Sequence, residues 1–267
     1  MKNALFTPED HTWAVCAYGD SPYLEDCIRS LTAQRVPSRI LISTSTPSPW
    51  IDEMAAKYGI RVYTQPGGGI GADWNSAYET AETPLVTIAH QDDLYEPGYT
   101  ETLLRELNRS RDPILFFTGY GELRDGEEIL DNRNLRIKRW MLLPLRGRLF
   151  RNSRFVRRRI LSLGSPICCP SVTYVREKTG PAPFSTRMKV SLDWDQWEKQ
   201  SRKKGAFVYC PEPLMIHRVH EGSETTRMIA SNIRGQEDLE MFRRFWPESV
   251  ARWLGRKYSA SEKSNEV

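Results

Sequence analysis

Short apolar runs alternate with amphipathic segments along the first 120 residues of the chain. Runs of strand type occupy residues 12–17, 39–42, 60–64, 85–89 and 113–118, each short, apolar or β-branched, and bounded by turn-forming residues. Apolar residues at helical spacing, such as Leu24, Cys27, Ile28 and Leu31, separate them. This alternation predicts an α/β fold with a mostly parallel, doubly wound, Rossmann-like sheet.

The alternation becomes irregular after Asp125-Gly126, a pair that predicts a turn. Strands are predicted at 172–175 and 206–209, an extended stretch at 211–219, and a helix from Ser191 to about Lys204. Residues 236–245 and 249–258 predict a helical C-terminal part, and residues 259–267 a frayed tail. We find no repeat or linker, so we expect one domain with parts at about 12–120, 121–226 and 227–267.

Composition narrows the class of protein. An apolar fraction of 39% and a charged fraction of 27% are typical of a globular protein. No apolar run reaches 18 residues, so no transmembrane helix is predicted, and the acidic Met1–Trp13 segment does not resemble a secretory signal. Five cysteines without zinc spacing predict free thiols in a reducing compartment. The expected location is therefore cytoplasmic.

Positive charge is concentrated in residues 133–159, which contain eleven Lys/Arg and no acid. The formal net charge is +4 and this segment carries +11, so the remainder carries −7. Arginines alternate here with Leu, Trp and Phe, a pattern that suits an anionic acceptor or an acidic membrane surface. A solvated helix face and a nucleic-acid contact are the alternatives, and we expect no nucleic-acid partner.

The predicted strand at 85–89 ends in His90-Gln91-Asp92-Asp93, which places adjacent carboxylates where the strand emerges from the sheet. Ligands of open α/β sheets bind outside the carboxyl ends of the strands. The two acids are therefore compatible with a divalent cation and a phosphorylated ligand. They are equally compatible with a turn and helix cap. A glycine-rich loop at 66–71 matches neither dinucleotide-binding nor P-loop spacing, which favours a simple turn.

Four stretches in order resemble family 2 glycosyltransferases of the GT-A fold. They are Val15-Cys-Ala-Tyr-Gly19 with the following helix, Gly69-Ile-Gly-Ala-Asp-Trp-Asn75, His90-Gln-Asp-Asp93, and Leu192-Asp-Trp-Asp-Gln-Trp197 through Arg218-Val-His220. The resemblance covers residues 13–226. It implies a nucleotide-sugar-binding half before residue 120, an acceptor and catalytic half after it, and Mn²⁺ or Mg²⁺ as cofactor. It also suggests cell-surface polysaccharide or glycolipid synthesis, and an alternative location for the protein at the inner face of the membrane.

The resemblance also implies roles for individual residues. Asp193 would be the catalytic base that accepts the acceptor's proton, while Asp195 faces elsewhere and Trp194 and Trp197 are core. The implied donor-binding residues are Ala17, Tyr18, Ser43, Asn75, Gln91 and Asp92. The implied metal ligands are Asp92, His90 and His220, where neutral imidazole suits Mn²⁺ better than Mg²⁺.

Departures from the family pattern keep two other functions open. The family's acids after the second strand are replaced by Ser43 and Thr44, its arginine by Trp74, and its first metal acid by His90. Leu192 stands where glutamate often precedes the base. A non-catalytic module that kept the fold is one alternative. A nucleotidyltransferase is the other, although residues 18–21 lack the basic phosphate loop expected of that class.

Overall fold

The computed structural model describes residues 5–220 and 233–263, and within them one sheet of nine strands. The strands are β1 His11–Ala17, β2 Arg39–Thr44, β3 Arg61–Thr64, β4 Leu85–His90, β5 Leu94–Tyr95, β6 Pro113–Arg124, β7 Glu127–Ile129, β8 Val172–Val175 and β9 Ala206–Val219. Their order is β3-β2-β1-β4-β8-β6-β9-β5, with β7 paired to β6. The half from β3 to β4 is parallel, as predicted. Antiparallel pairs appear from β8 onward, and only β6 and β9 are parallel there.

Helices cover both faces of this sheet. They are α1 Leu24–Thr32, α2 Pro49–Tyr58, α3 Ile70–Thr80, α4 Tyr99–Arg109, α5 Arg133–Leu142, α6 Arg148–Arg151, α7 Arg154–Leu161, α8 Arg176–Thr179, α9 Leu192–Ser201, α10 Ile233–Arg243 and α11 Glu248–Lys263. Apolar residues of α1, α2 and α4 form the core on one face. Those of α3, α7, α9, α10 and α11 form the core on the other. Trp194 and Trp197 are buried in this second core, as the sequence predicts.

Several predicted boundaries were wrong. Strand β2 continues through Ser43 and Thr44, two residues beyond its predicted end at residue 42; both are fully buried. Strand β6 runs to Arg124 and turns into β7 at Asp125-Gly126, where both residues have positive φ, as a tight hairpin requires. Helix α11 continues to Lys263, five residues into the predicted tail. The expected polar stretch at 221–226 and the tail residues 264–267 lie outside the described residues.

The basic segment divides into buried and exposed cations. Arg157 is almost fully buried and donates to the backbone oxygens of Ser201, Lys203 and Gly205. Four others are partly buried and bound to neighbouring groups: Lys138, Arg139, Arg151 and Arg158. The remaining six are exposed: Arg133, Arg136, Arg146, Arg148, Arg154 and Arg159. Nearly half of the positive charge therefore holds the α5–α7 region to neighbouring parts of the fold, including the sheet and α9.

Glycine is required at position 71 because α3 packs directly against the backbone of the 181–190 loop. A Cβ at position 71 would lie 2.2 Å from the backbone oxygen of Ser185 and 3.1 Å from Cδ2 of Leu192. We expect Gly71→Ala to lower the free energy of unfolding by about 1–3 kcal/mol, measured by urea denaturation. Gly255→Ala is the matched control, because its nearest atoms lie at 3.8 and 4.0 Å and helix propensity favours alanine by about 1 kcal/mol. Equal stability of the two variants would contradict this packing.

Candidate active site

Asp93 anchors the turn after β4 to the end of β9. Its side chain is fully buried. Its Oδ1 accepts hydrogen bonds from His217 Nδ1 at 2.9 Å and from the backbone N–H of Arg218 at 3.0 Å. An ionised carboxylate only accepts, so the proton of the first bond belongs to His217. Burial by itself lowers the pKa of His217, but the carboxylates of Asp93 and Asp92 together outweigh burial and the pKa is raised.

His90, Asp92 and Asp93 form a compact group, which we call the His–Asp–Asp group. One ligand atom from each lies within 4.8 Å of the others. Two buried atoms, His90 Nε2 and Asp93 Oδ2, have no hydrogen-bond partner among the described residues. Burial lowers the pKa of His90 to about 4, so its imidazole is neutral near pH 7. A neutral imidazole and two carboxylates match the ligand preferences of Mn²⁺, so these residues fit a divalent metal.

The end of β9 encloses this group. His220 Nε2 lies 3.0 Å from Asp92 Oδ2, so the structure brings this predicted ligand to the site. Arg218 donates from Nε to the backbone oxygen of Asp92 at 3.0 Å and from Nη2 to Asp26 at 3.2 Å. Its guanidinium also lies 4.3 Å from the ring centroid of Tyr23. These contacts fix the shape of the turn that carries Asp92.

The ends of β1 and β4 are joined by the side chain of Gln91. Its amide accepts from the backbone N–H of Tyr18 at 3.0 Å and donates to the backbone oxygen of Tyr18 at 2.8 Å. The Tyr18 ring itself is 57% exposed, while Ala17 is buried at the end of β1. Gln91 thus acts on the Tyr18 backbone, and the exposed ring of Tyr18 is left at the edge of the sheet.

A carboxylate that the sequence reading overlooked lies near the end of β2. Asp73, in the first turn of α3, is 7% exposed, and its Oδ2 accepts from Ser45 Oγ at 3.1 Å. Its Oδ1 has no hydrogen-bond partner among the described residues, and burial raises its pKa. The available signal was periodicity, because Asp73 shares the buried stripe of α3 with Ala77. An acid on a buried helical face indicates a special role.

Trp74 and Asn75 follow Asp73 and connect α3 to two other parts of the site. The ring of Trp74 stacks on His90, with centroids 4.9 Å apart and planes at 24°. Asn75 donates to the backbone oxygen of Phe184 at 3.0 Å and accepts from its N–H at 2.8 Å. In this structure the Asn75 amide therefore holds the 181–190 loop, which leads directly into α9.

Asp193 lies at the start of α9. Its Oδ1 accepts from the backbone N–H of Trp194 at 2.6 Å, and its Oδ2 from Ser165 Oγ at 3.2 Å. Burial raises its pKa, against the opposing effects of Trp194, Arg234, Ser165 and Lys138. Asp195 points away, as predicted, and its carboxylate pairs with Arg244 and Lys199.

The charges at both ends of the site act on Cys168 and Cys169. Burial raises the pKa of the thiols of Cys168 and Cys169, and the carboxylates of both Asp93 and Asp193 raise it further. The cysteine pair is thus close to the His–Asp–Asp group and to Asp193. Asp193 is in turn supported from α10, where Glu237 accepts the backbone N–H groups of residues 189–191 at 2.7–2.9 Å.

Comparisons with known proteins agree with this architecture. The structure of Staphylococcus aureus TarS with UDP-GlcNAc has a TM-score of 0.62 at 12% identity, covering 93% of this chain and 71% of that one. The mannosyltransferase PcManGT from Pyrobaculum calidifontis, solved with GDP-Man and Mn²⁺, gives 0.57 at 13% identity, with 100% and 79% covered. At these identities the likeness concerns the fold, and it confirms the predicted GT-A type.

Sequence comparison identifies the family. EpsH of Bacillus subtilis is named as a glycosyltransferase on the basis of inference. This chain is 30% identical to it over 107 residues. The match covers 38% of this chain and spans 31% of the length of EpsH. The sequence model of the family described as Glycosyl transferase family 2 matches residues 12–180. Because these residues make up more than half of the chain, the protein belongs to glycosyl transferase family 2.

Proposed function

We propose that the protein transfers a sugar from a nucleotide-sugar donor to an acceptor hydroxyl, with a divalent metal held by the His–Asp–Asp group. The observation that carries this proposal is the cluster of His90, Asp92 and Asp93 at the carboxyl end of β4, with two buried ligand atoms unsatisfied within the described residues. A bound Mn²⁺ or Mg²⁺ would neutralise the diphosphate that departs from the sugar. His220, 3.0 Å from Asp92, would complete the ligand set or contact the diphosphate.

Asp193 is the proposed base. It would accept the proton of the acceptor hydroxyl as that oxygen attacks the sugar carbon. Its raised pKa makes it a stronger base than an exposed aspartate. The proton still moves from the acceptor hydroxyl to the carboxylate. Ser165 and the N–H of Trp194 orient the carboxylate, and this arrangement limits the directions from which an acceptor can approach.

The donor's nucleoside would lie along the ends of β1, β2 and β4. In our proposal the exposed ring of Tyr18 lines this edge and Asp92 lies toward the diphosphate, while Ala17 and Ser43 are buried beneath it and shape it from below. Gln91 and Asn75 would shape it by holding the Tyr18 and Phe184 backbones. The donors bound by the solved relatives, UDP-GlcNAc and GDP-Man, make UDP- and GDP-sugars the first candidates.

Asp73 is the proposed replacement for the acids that β2 lacks, since its unpartnered Oδ1 can accept a hydrogen bond from a donor hydroxyl or base. We expect Asp73→Asn to weaken UDP or GDP binding in the presence of Mn²⁺ by about 10-fold or more, measured by isothermal titration calorimetry. Asp10→Asn is the matched control, because Asp10 also accepts a hydroxyl bond, from Thr7 at 3.0 Å, but precedes the amino end of β1. Equal affinities in the two variants would exclude a donor contact by Asp73.

The test of the proposed activity is donor cleavage. UDP-GlcNAc, UDP-glucose and GDP-mannose are incubated separately with the protein and Mn²⁺, and release of nucleoside diphosphate is measured. We expect one donor to be cleaved, EDTA to stop the release, and added Mn²⁺ to restore it. A donor that raises the melting temperature but is never cleaved, with or without simple sugar acceptors, would support a non-catalytic module. Pyrophosphate release from a nucleoside triphosphate and a sugar phosphate would support a nucleotidyltransferase.

The proposed setting is cell-surface polysaccharide or glycolipid synthesis in the cytoplasm, which rests on family analogy. Among the described residues, no helix combines the length and apolar character needed to cross a bilayer. All five cysteines are free thiols, which suits a reducing compartment. The acceptor is unidentified, and the cationic region beside the site favours an anionic or membrane-associated one.

A further inference from the structure

We propose that the outer surface of α5 through α7 docks on the headgroup region of an anionic lipid bilayer. We call this surface the basic-apolar face. It consists of the six exposed arginines of residues 133–159 and of six exposed apolar residues: Ile137, Trp140, Leu143, Leu149, Phe150 and Phe155. The proposal concerns a surface outside the donor site and does not depend on the transfer reaction.

Large apolar side chains are unusually exposed on this face. Trp140 is 70% exposed, Leu149 88% and Phe155 71%. Single exposed apolar residues are common on protein surfaces, but groups of them mark interaction sites. Six within twenty residues of sequence, on elements that follow one another, form such a group.

Helix geometry puts these residues on the outside of the elements that carry them. In α5, the buried Leu135 and Leu142 are seven residues apart and define the inner stripe. Arg136, Ile137 and Trp140 project from the opposite side because consecutive residues are about 100° apart around a helix. In α7, Arg159 lies with its guanidinium 5.6 Å from the ring centroid of Phe155, so cation and apolar group touch on the outer side.

The elements between these helices keep the surface continuous. Residues 143–146 form a 3₁₀ turn that packs against α5 and α6, and α6 packs against α7. Leu143 belongs to that turn, and Leu149 and Phe150 belong to α6. The exposed residues therefore lie on successive elements that pack against one another in chain order.

Charge distinguishes a bilayer from an uncharged partner. The face carries six exposed arginines and no acid within 133–159. Asp131, which precedes this segment, lies 3.8 Å from Arg136 Nε. Cationic side chains beside Trp, Phe and Leu are typical of surfaces that lie in the interface of acidic membranes, where arginines reach headgroup phosphates and apolar groups reach the acyl boundary. Nucleic acid would use the arginines but leave Leu149 and Leu143 without a partner.

The inner side of the same region borders the site. Lys138, on α5, donates to the hydroxyl of Tyr120 at 2.8 Å, and its charge acts on the Asp193 carboxylate by lowering the pKa that burial raises. Docking through the outer side of α5 would thus hold Asp193 near the bilayer.

Vesicle flotation without donor or metal tests the proposal. Vesicles of phosphatidylcholine alone are compared with vesicles of equal parts phosphatidylcholine and phosphatidylglycerol, at low and high salt. We expect binding to the anionic vesicles at low salt, weaker binding at high salt, and little binding to phosphatidylcholine. Equal binding to both vesicle types, or none to either, would overturn the proposal.

Variants locate the binding surface. Trp140→Ser combined with Leu149→Ser and Phe155→Ser should lower the partition coefficient on anionic vesicles at least about 10-fold. The melting temperature should stay unchanged, because all three side chains are exposed. Leu5→Ser is the control, since Leu5 is 69% exposed and precedes β1, and should bind as wild type. Unchanged vesicle binding by the triple variant would contradict docking through this face. So would a preference for nucleic acid, in which duplex RNA displaces the wild type from the vesicles and the triple variant still binds the RNA as well as the wild type does.

Discussion

Asparagine in place of Asp193 should lower the rate of sugar transfer by about 10²–10⁴-fold, the range contributed by a positioned general base. Asparagine keeps the shape: its side-chain oxygen can accept from the Trp194 N–H and its NH2 can donate to Ser165 Oγ, but it cannot take up a proton. Binding of UDP or GDP with Mn²⁺ should therefore remain within about twofold of wild type. The measurement is kcat and KM for the donor that is cleaved, beside calorimetry of the nucleotide.

Asp195→Asn is the matched control for that experiment. The same substitution two residues away removes a charge from a buried carboxylate that pairs with Arg244 Nη1 and Lys199 Nζ, each at 2.6 Å. It should lower the free energy of unfolding by about 1–3 kcal/mol and leave transfer largely intact below the melting temperature. If the two variants lost activity equally without a difference in stability, Asp193 would have no special role as base.

Asp92→Asn should abolish metal-dependent donor cleavage. Asp92 offers one of the two carboxylates of the His–Asp–Asp group and is the more exposed one. Removing its charge should lower Mn²⁺ affinity by about 100-fold or more, since loss of residues that only support a metal ligand already costs 10–100-fold. Electron paramagnetic resonance of free Mn²⁺ in titrations measures the affinity directly, independently of any substrate.

Substitutions of two further aspartates separate the effect of a lost charge on Mn²⁺ binding from the effect of a destabilised fold. Asp26→Asn removes the same charge from an exposed residue linked to the turn through Arg218, and should leave Mn²⁺ binding near wild type. Asp93→Asn should weaken Mn²⁺ binding and also destabilise the fold, because Asp93 is fully buried and accepts from His217 and Arg218. Retention of Mn²⁺ affinity in Asp92→Asn, with loss in Asp26→Asn, would place the metal elsewhere.

The first half of the fold was predictable because its signals are local. Each strand from β1 to β4 is a short apolar run, and each following helix has a regular apolar stripe, so the parallel order followed from known connection rules. Boundaries failed where tertiary packing overrides polarity. Ser43 and Thr44 read as turn residues, yet pairing with β1 on one side and β3 on the other keeps them in β2.

The site was predictable to the extent that its residues lie at strand ends. His90 and Asp92 follow an obvious strand, and the structure brings His220 beside them from 128 positions away along the chain. Asp73 was missed because an acid inside a helix reads as a solvent-facing residue until its partner Ser45 is known. The arginines of the basic segment show the same limit, since only the fold separates the buried Arg157 from its exposed neighbours.

The hydrogen bonds from residues 189–191 to Glu237 have a consequence for local opening of the molecule. The chain leaves the His–Asp–Asp group at His220 and supports the start of α9 at Glu237, seventeen residues later. Undocking of α10 would release the N–H groups of residues 189–191, which lead into α9, and with them the orientation of Asp193. Amide hydrogen exchange at residues 189–191 should therefore follow the opening of α10. Catalytic activity should be lost at a lower denaturant concentration than the concentration at which the sheet unfolds.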